Sequence, residues 1–304
     1  MNVRWVSGRT IVVILLLVAV AGCQRERPAV SDAVPADHVA QVQAWREKHE
    51  ADYRRDFVTV SGLYFLDAGV YTIGKASTNG VVIDAPVPDV IGTLQVDNGR
   101  VQLRPAAGVG IVQDGKTVSG PIVMKERDAR PSPEIILGDV RIVVHETGDR
   151  LALRVRDPRG APAQAFKGFA WFPIDPSYRV IARFIRDAEP RKLQVLNTLN
   201  GVDTYSTDGV LEFTLSGQTV RLRPFTTRPK RFYIVFRDAS SGHETYQVAR
   251  FLYADLRDDG TAVLDFNESY NPPCAFNKFT TCPLPLKENV LPVKILAGER
   301  KYGG

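Results

Sequence analysis

Hydrophobic positions along this chain fall into three regimes. Residues 11–20 are one continuous apolar run. Over residues 38–56 the apolar side chains Val39, Val42, Trp45 and Tyr53 fall near one helical face with charges between them, which predicts an amphipathic packing helix with Asp37 as its N-cap. From residue 57 the period drops to two. Residues 57–60, 70–73, 81–83, 93–96 and 101–103 read as short strands, separated by the turn formers Ser61-Gly62, Asn79-Gly80 and Asp97-Asn98-Gly99. Asp114-Gly115, Gly138-Asp139 and Gly148-Asp149 carry the rhythm on to residues 151–156. Strands this short and this regular predict an antiparallel β-sandwich over residues 57–156. After a connecting segment at 157–162 and an aromatic cluster at 166–173, alternation resumes at 179–184, 210–215, 219–223 and 232–236. Residues 157–304 are therefore expected to form a second β-rich half, with antiparallel sheets and one polar face. The fold class is mainly β.

The pattern breaks once more near the end. Five prolines lie between residues 272 and 292. Each fixes φ and removes a backbone donor, so this stretch is neither a helix nor a central strand. With its dense Asp, Asn, Tyr and Cys it predicts a rigid, ordered loop laid over the β body.

Composition narrows the class. The chain has 304 residues, 44% of them hydrophobic and 24% charged, as in globular proteins and unlike disordered ones. The formal net charge is only +5, with Lys and Arg dispersed among Asp and Glu, so nucleic acid is not expected as a partner. Arg4 and Arg9 precede the apolar run, which is too short to span a bilayer as a mature helix. It ends in Val20-Ala21-Gly22-Cys23, which resembles the lipobox of bacterial lipoproteins. That resemblance implies a signal peptide over residues 1–22, lipidation of Cys23 and a polar tether over residues 23–37. Gln24 after the cysteine implies an outer-membrane location facing the periplasm, with the lipid anchor as the link to the membrane.

Candidate chemistry is sparse. There is no His-Glu-x-x-His, no paired Cys-x-x-Cys, no glycine-rich phosphate loop and no Gly-x-Ser-x-Gly elbow, so neither a metal nor a cofactor is expected. Two stretches stand out. Residues 236–250 read as a hairpin that carries Asp238, Tyr246 and Arg250. The proline-rich stretch carries Asp265, Asn267, Tyr270, Asn271, Glu288 and Asn289. Such a set suits either the orientation of a small polar ligand or the closure of a buried hydrogen-bond network. With Cys23 acylated, Cys274 and Cys282 are left in a chain bound for an oxidising compartment, and seven residues between them leave room for a disulfide. Buried free thiols, or a catalytic or metal role, are the alternatives.

Two resemblances follow from particular residues. Tyr71-Thr72-Ile73-Gly74-Lys75, Asn79-Gly80-Val81-Val82-Ile83 and Gly92-Thr93-Leu94-Gln95-Val96 together look like a forkhead-associated sandwich. That family grips phosphothreonine with an Arg and a Ser. Here Lys75 replaces the Arg, and residues 87–92 stand where the Ser and a supporting His would be, so the phosphopeptide site is expected to be lost. The second resemblance is to the family catalogued as domain of unknown function 1684, from about Trp45 to Glu299. It rests most specifically on Asp265-Phe266-Asn267, on Tyr270-Asn271-Pro272-Pro273-Cys274-Ala275-Phe276 and on Cys282-Pro283. Glu288-Asn289 and Ala297-Gly298-Glu299 complete it. The resulting expectation is a lipid-anchored envelope protein acting as a non-catalytic binding or structural module, with a small polar ligand or an envelope protein as partner. The alternative is an enzyme of hydrolase type, with a site built from residues 238–250 and 265–282 and Cys274 as nucleophile. A pocket on which these side chains converge would favour the enzyme, and a buried network without a pocket would favour the module.

Overall fold

The computed structural model describes residues 34–127 and 131–303. The expected lipidation site at Cys23, the signal peptide and most of the tether lie outside the described residues. Among the described residues no helix is long and apolar enough to cross a membrane.

The chain opens with helix α1 (His38–Tyr53), which continues into one π-helical turn over Arg54–Val58. Residues 57 and 58, expected as the start of a strand, therefore belong to the helix end. Thr59 Oγ1 closes that turn on the Arg55 carbonyl at 2.7 Å. The buried face of α1 also differs from the expected apolar stripe. Val42 and Tyr53 are buried as anticipated, but Val39 is exposed and His38 is buried in its place. Trp45, Arg46, His49 and Glu50 complete the face through specific polar and ring contacts. Apolar periodicity alone could not have located it.

Eleven strands build the first half: β1 (Val60–Leu66), β2 (Gly69–Gly74), β3 (Val81–Val82), β4 (Gly92–Asp97), β5 (Arg100–Pro105), β6 (Ile111–Gln113), β7 (Lys116–Val118), β8 (Ile122–Lys125), β9 (Glu134–Leu137), β10 (Val140–Thr147) and β11 (Arg150–Arg156). They form a six-stranded sheet, in the order β1-β11-β10-β9-β6-β7, and a five-stranded sheet, in the order β3-β2-β4-β5-β8. All pairs are antiparallel except β2 with β3, which run parallel. The alternation in the sequence becomes a shared core, in which Ile73, Leu94, Val101 and Leu103 of one sheet meet Ile135, Ile142, Leu153 and Val155 of the other. Each such side chain stabilises the fold by about 1.5–3 kcal/mol on burial.

The second half is a pair of smaller sheets. Strands β12 (Arg179–Leu196), β13 (Val202–Leu215), β14 (Gln218–Leu222) and β18 (Thr261–Asp265) form one, in the order β14-β13-β12-β18. Strands β15 (Phe225–Arg228), β16 (Arg231–Phe236) and β17 (Arg250–Asp255) form the other. Their core gathers Leu211, Phe213, Ile234, Phe236, Leu252, Leu264 and Phe266. The register of β12 on β13 shifts between Arg186 and Arg191, where Pro190 has no donor to offer a ladder. The expected hairpin around residues 236–250 is present, with β16 paired antiparallel to β17 and an irregular connection between them. Leu291, Val293, Ile295 and Ala297 are buried at every second position and enter the same core, although they belong to no named strand. Leu291 donates its backbone N–H to the Arg237 carbonyl, and Ala239 donates to Val293. Residues 34–304 cluster as one compact unit. A third, aromatic cluster joins α1, the second half and the proline-rich loop through Tyr53, Phe225, Tyr233, Phe251 and Tyr270.

Candidate functional site

The proline-rich loop is held by asparagines acting as substitute peptide groups. Asn289 accepts from the Arg223 N–H at 2.7 Å and donates to the carbonyls of Arg223 and Val235, both at 2.9 Å. Asn277 donates to the carbonyls of Phe57 and Val60, tying the loop to the start of the sandwich. Asn271 donates to the Arg300 carbonyl, while its backbone N–H donates to Glu299 at 2.8 Å. A side-chain amide carries both a donor and an acceptor, so it can satisfy backbone groups where proline has removed the ladder. Gly298 lets the chain return close by, at a φ of +77°, where a Cβ would meet the Ser269 carbonyl at 2.3 Å. Glu299 is fully enclosed, and burial pushes its carboxyl up to about 8. Glu288 pairs with Arg223 at 2.7 Å.

Asp238 and Arg250 form a second buried set. The Arg250 guanidinium, with no exposed surface, donates to Asp238 at 2.8 Å, to Ser269 at 2.7 Å, and to the carbonyls of Ile295 and Ala297. Asp238 is also occupied, accepting from the backbone of Ser240 and Ile295. These groups do not line the cleft described below. The terminal nitrogens of Arg250 are spent on the protein itself, and its Nε is enclosed with no partner among the described residues.

The residues at Asp265 have a different setting. Asp265 caps the 3-10 turn Phe266–Glu268 by accepting from the Asn267 N–H, and its other carboxylate oxygen meets His38 Nε2 at 2.5 Å. Asn267 clamps Asp175 through both its N–H and its carbonyl, at 2.9 Å each. Beside this pair lies a cleft of about 330 Å3 between α1 and the β12, β17 and β18 strands. Its walls include His38, Arg179, Arg231, Tyr253, Asp265 and Glu268. Burial, and then the neighbouring Asp265 charge, push the Glu268 carboxyl up to about 7. A buried guanidinium nitrogen of Arg179 has no hydrogen-bond partner among the described residues. Arg231 pairs with Asp255 at 2.5 Å and lies over the Tyr253 ring. Tyr270 packs edge-on against the Tyr53 ring, with centroids 5.4 Å apart. Perturbed titratable groups converging on a concavity mark a functional-site candidate. Among the described residues no cluster of His, Cys, Asp and Glu has the makeup of a metal site.

The two cysteines are both free thiols, Cys274 half-buried and Cys282 fully buried. They are not joined as a disulfide here. The Cys274 N–H donates to Cys282 Sγ at 3.3 Å. Tyr246 donates to the Cys274 carbonyl at 3.3 Å.

Residues 164–300 match the family model described as "Protein of unknown function (DUF1684)". The chain belongs to that family. The DUF1684 match starts after the sandwich, so it is narrower than the resemblance from Trp45 onward, and it does not confirm a forkhead-associated character for residues 57–156. An uncharacterised protein of Haloarcula marismortui, solved by NMR in solution, is 32% identical over 45% of this chain and 78% of its own, with a TM-score of 0.39. No curated protein matches. Within the DUF1684 segment the sequence-predicted residues divide by partner. Asp238 and Arg250 serve one network, Asp265 and Asn267 a second, Asn271 the Glu299 enclosure, Glu288 and Asn289 the Arg223 region, and Tyr246 the cysteines. Only Asp265 lines the cleft. Sequence reasoning missed His38, Arg179, Arg231, Tyr253 and Glu268, four of which sit in strands or a helix that looked merely structural. Glu268 alone lay inside the stretch already singled out.

Proposed function

We propose that this chain is a lipid-anchored module of the bacterial envelope, tethered through Cys23 at the outer membrane and facing the periplasm, which binds a small polar ligand in the cleft beside α1. The observation that carries the reading is the contrast in spare bonding capacity. The cleft is lined by Arg179, with an unpartnered nitrogen, and by a Glu268 carboxyl pushed up to about 7, whereas the unpartnered Nε of Arg250 is enclosed and lines no part of it. Arg179 supplies fixed positive charge, and a protonated Glu268 supplies a donor, so the expected ligand carries a carboxylate or a comparable small anion.

The test is calorimetric titration of small carboxylic acids into wild type, Arg179→Met and Glu268→Gln. Arg179→Met should weaken binding by about tenfold or more, and equal binding by wild type and Arg179→Met would remove the cleft from the reading. In cells, Cys23→Ser should release the protein from membrane fractions. The hydrolase alternative finds its support in the same cleft, where a His38–Asp265 pair adjoins a carboxyl near pH 7. Substrate turnover abolished in Glu268→Gln would favour it over simple binding.

A further inference from the structure

The proline-rich loop holds two nucleophilic groups that the proposed cleft does not use. Cys274 and Cys282 are free, adjacent and unequal, since the first is half-buried and the second has 1% of its surface exposed. The backbone around them is fixed on both sides. Thr198 donates its N–H to the Cys282 carbonyl and accepts the Cys282 N–H on Oγ1 at 3.1 Å, and Asn277 anchors the intervening turn to the sandwich. The loop therefore holds the Cys282 sulfur against the Cys274 backbone, at 3.3 Å from its nitrogen, without help from a covalent bond.

Their electrostatic surroundings are also unusual. Arg154 of β11 is 9% exposed, and its Nε has no hydrogen-bond partner among the described residues. Among the described residues no carboxylate acts on it. Its charged neighbours are Arg156, which opposes its charge, and Cys282, which favours it, and burial together with Arg156 pulls it down to about 10. A buried cation without an acid is costly unless an anion forms nearby, and a thiolate in this pair is the group within reach. Hydrogen bonds from Cys282, Tyr246 and Thr198 hold the Cys274 thiol below its ordinary value. None of those three is a histidine or a carboxylate, so the arrangement lacks the base that a hydrolytic cysteine uses, yet it suits exchange between sulfurs.

We propose that Cys274 and Cys282 form a redox-active dithiol that exchanges with disulfides, with Cys274 as the attacking thiol and Cys282 as the resolving one. The Cys274 thiolate attacks one sulfur of an external disulfide, whose S–S bond breaks and releases one thiolate that takes up a proton. The Cys282 thiolate then attacks Cys274 Sγ in the mixed disulfide and expels the second thiolate, which is protonated in turn. Two protein thiols lose two electrons and two protons, and one external disulfide becomes two thiols. The reverse sequence restores the free pair seen here. The assignment of roles follows from access, because Cys274 is only half-buried and Cys282 is almost wholly enclosed.

The test uses the folded full-length chain incubated with oxidised glutathione, quenched in acid, alkylated and mapped by mass spectrometry at the peptides containing residues 274 and 282. Wild type should lose two hydrogens and become unreactive to alkylation at both positions, without a stable glutathione adduct. Cys282→Ser should accumulate a glutathione adduct at Cys274, and Cys274→Ser should form an adduct at Cys282 about tenfold more slowly or not at all. Arg154→Gln should move the pH dependence of the exchange rate upward, a change that loosened packing alone would not give. Wild-type protein that keeps two alkylatable thiols at 274 and 282 would overturn the proposal without reliance on any variant. So would preferential adduct formation at Cys282.

Discussion

The Arg250 network and the cleft beside α1 are built from the same residue types, and they differ in whether what is left to bond faces a cavity. Arg250 spends its charge on Asp238 and three further oxygens, and Asp238 in turn is filled by backbone donors. In the cleft, Asp265 is comparably engaged by His38 and Asn267, but Glu268 and Arg179 beside it are not. A dense polar motif in a sequence therefore does not locate a site. The useful quantity is the bonding capacity that remains after the fold has taken its share and that opens onto a cavity, as it does at Arg179 and not at the enclosed Nε of Arg250.

The largest expected effect comes from breaking the enclosed side of this comparison. Arg250→Met leaves Asp238 as a buried charge without its counter-ion, which should cost about 3–5 kcal/mol of stability. Adding Asp238→Asn should recover much of that loss in urea denaturation. A loss below about 1 kcal/mol would mean that the network is not the structural clamp described above.

A smaller effect, with a sign that can be worked out in advance, comes from pH. His49 lies in a ring cage with Trp45 at 4.8 Å, Tyr53 at 4.2 Å and Tyr270 at 4.5 Å, and burial holds it down to about 4. Its ordinary value is about 6.5, so stability is lost as pH falls from there towards 4, because the unfolded chain takes up the proton first. Glu299 is raised from an ordinary carboxyl value to about 8, so the folded state keeps a proton that the unfolded state has released. Its contribution is lost as pH rises through that window. Stability should therefore be greatest at mildly acid pH, and Glu299→Gln should flatten the decline between neutral pH and about 8. A denaturation midpoint that climbs across that interval would contradict the enclosure of Glu299.

The smallest expected effect sharpens the open side. Glu268→Gln keeps the shape of the residue and removes its titration, so it should not destabilise the protein at neutral pH by more than about 0.5 kcal/mol. It should also flatten the loss of stability as pH rises towards about 7. If the same change destabilises the protein as much as Arg250→Met, Glu268 is a structural group, and the contrast between the two regions disappears.

The sandwich was legible because alternation, turn dipeptides and a two-sided core all say the same thing from Thr72 through Val155. The loop was legible as ordered because its prolines rule out regular structure. Two of the asparagines that hold it, Asn271 and Asn289, were noticed, although as ligand candidates, while Asn277 was not. Bonding partners could not be read. His38 and Asp265 lie 227 residues apart, and nothing in either neighbourhood points to the other. Arg179 and Tyr253 are ordinary members of alternating strands, so only strand order shows that they face one cleft. Residues 57–58 went to the helix because the π-helical turn draws the chain on past Asp56 before β1 can begin.

The docking of α1 onto the far end of the chain also bears on the order of assembly. Arg46 reaches the Asn267 carbonyl across 221 residues, and Asn277 reaches back to Val60 across 217. A polypeptide made from its N-terminus holds α1 without these partners until the stretch from Asp265 onward has emerged. Contacts so distant in sequence close late and slow folding. The sandwich, whose strands pair mostly with near neighbours, is free to form first. Final assembly then waits for the last segment of the chain, whose arrival closes α1, the β body and the thiol loop together.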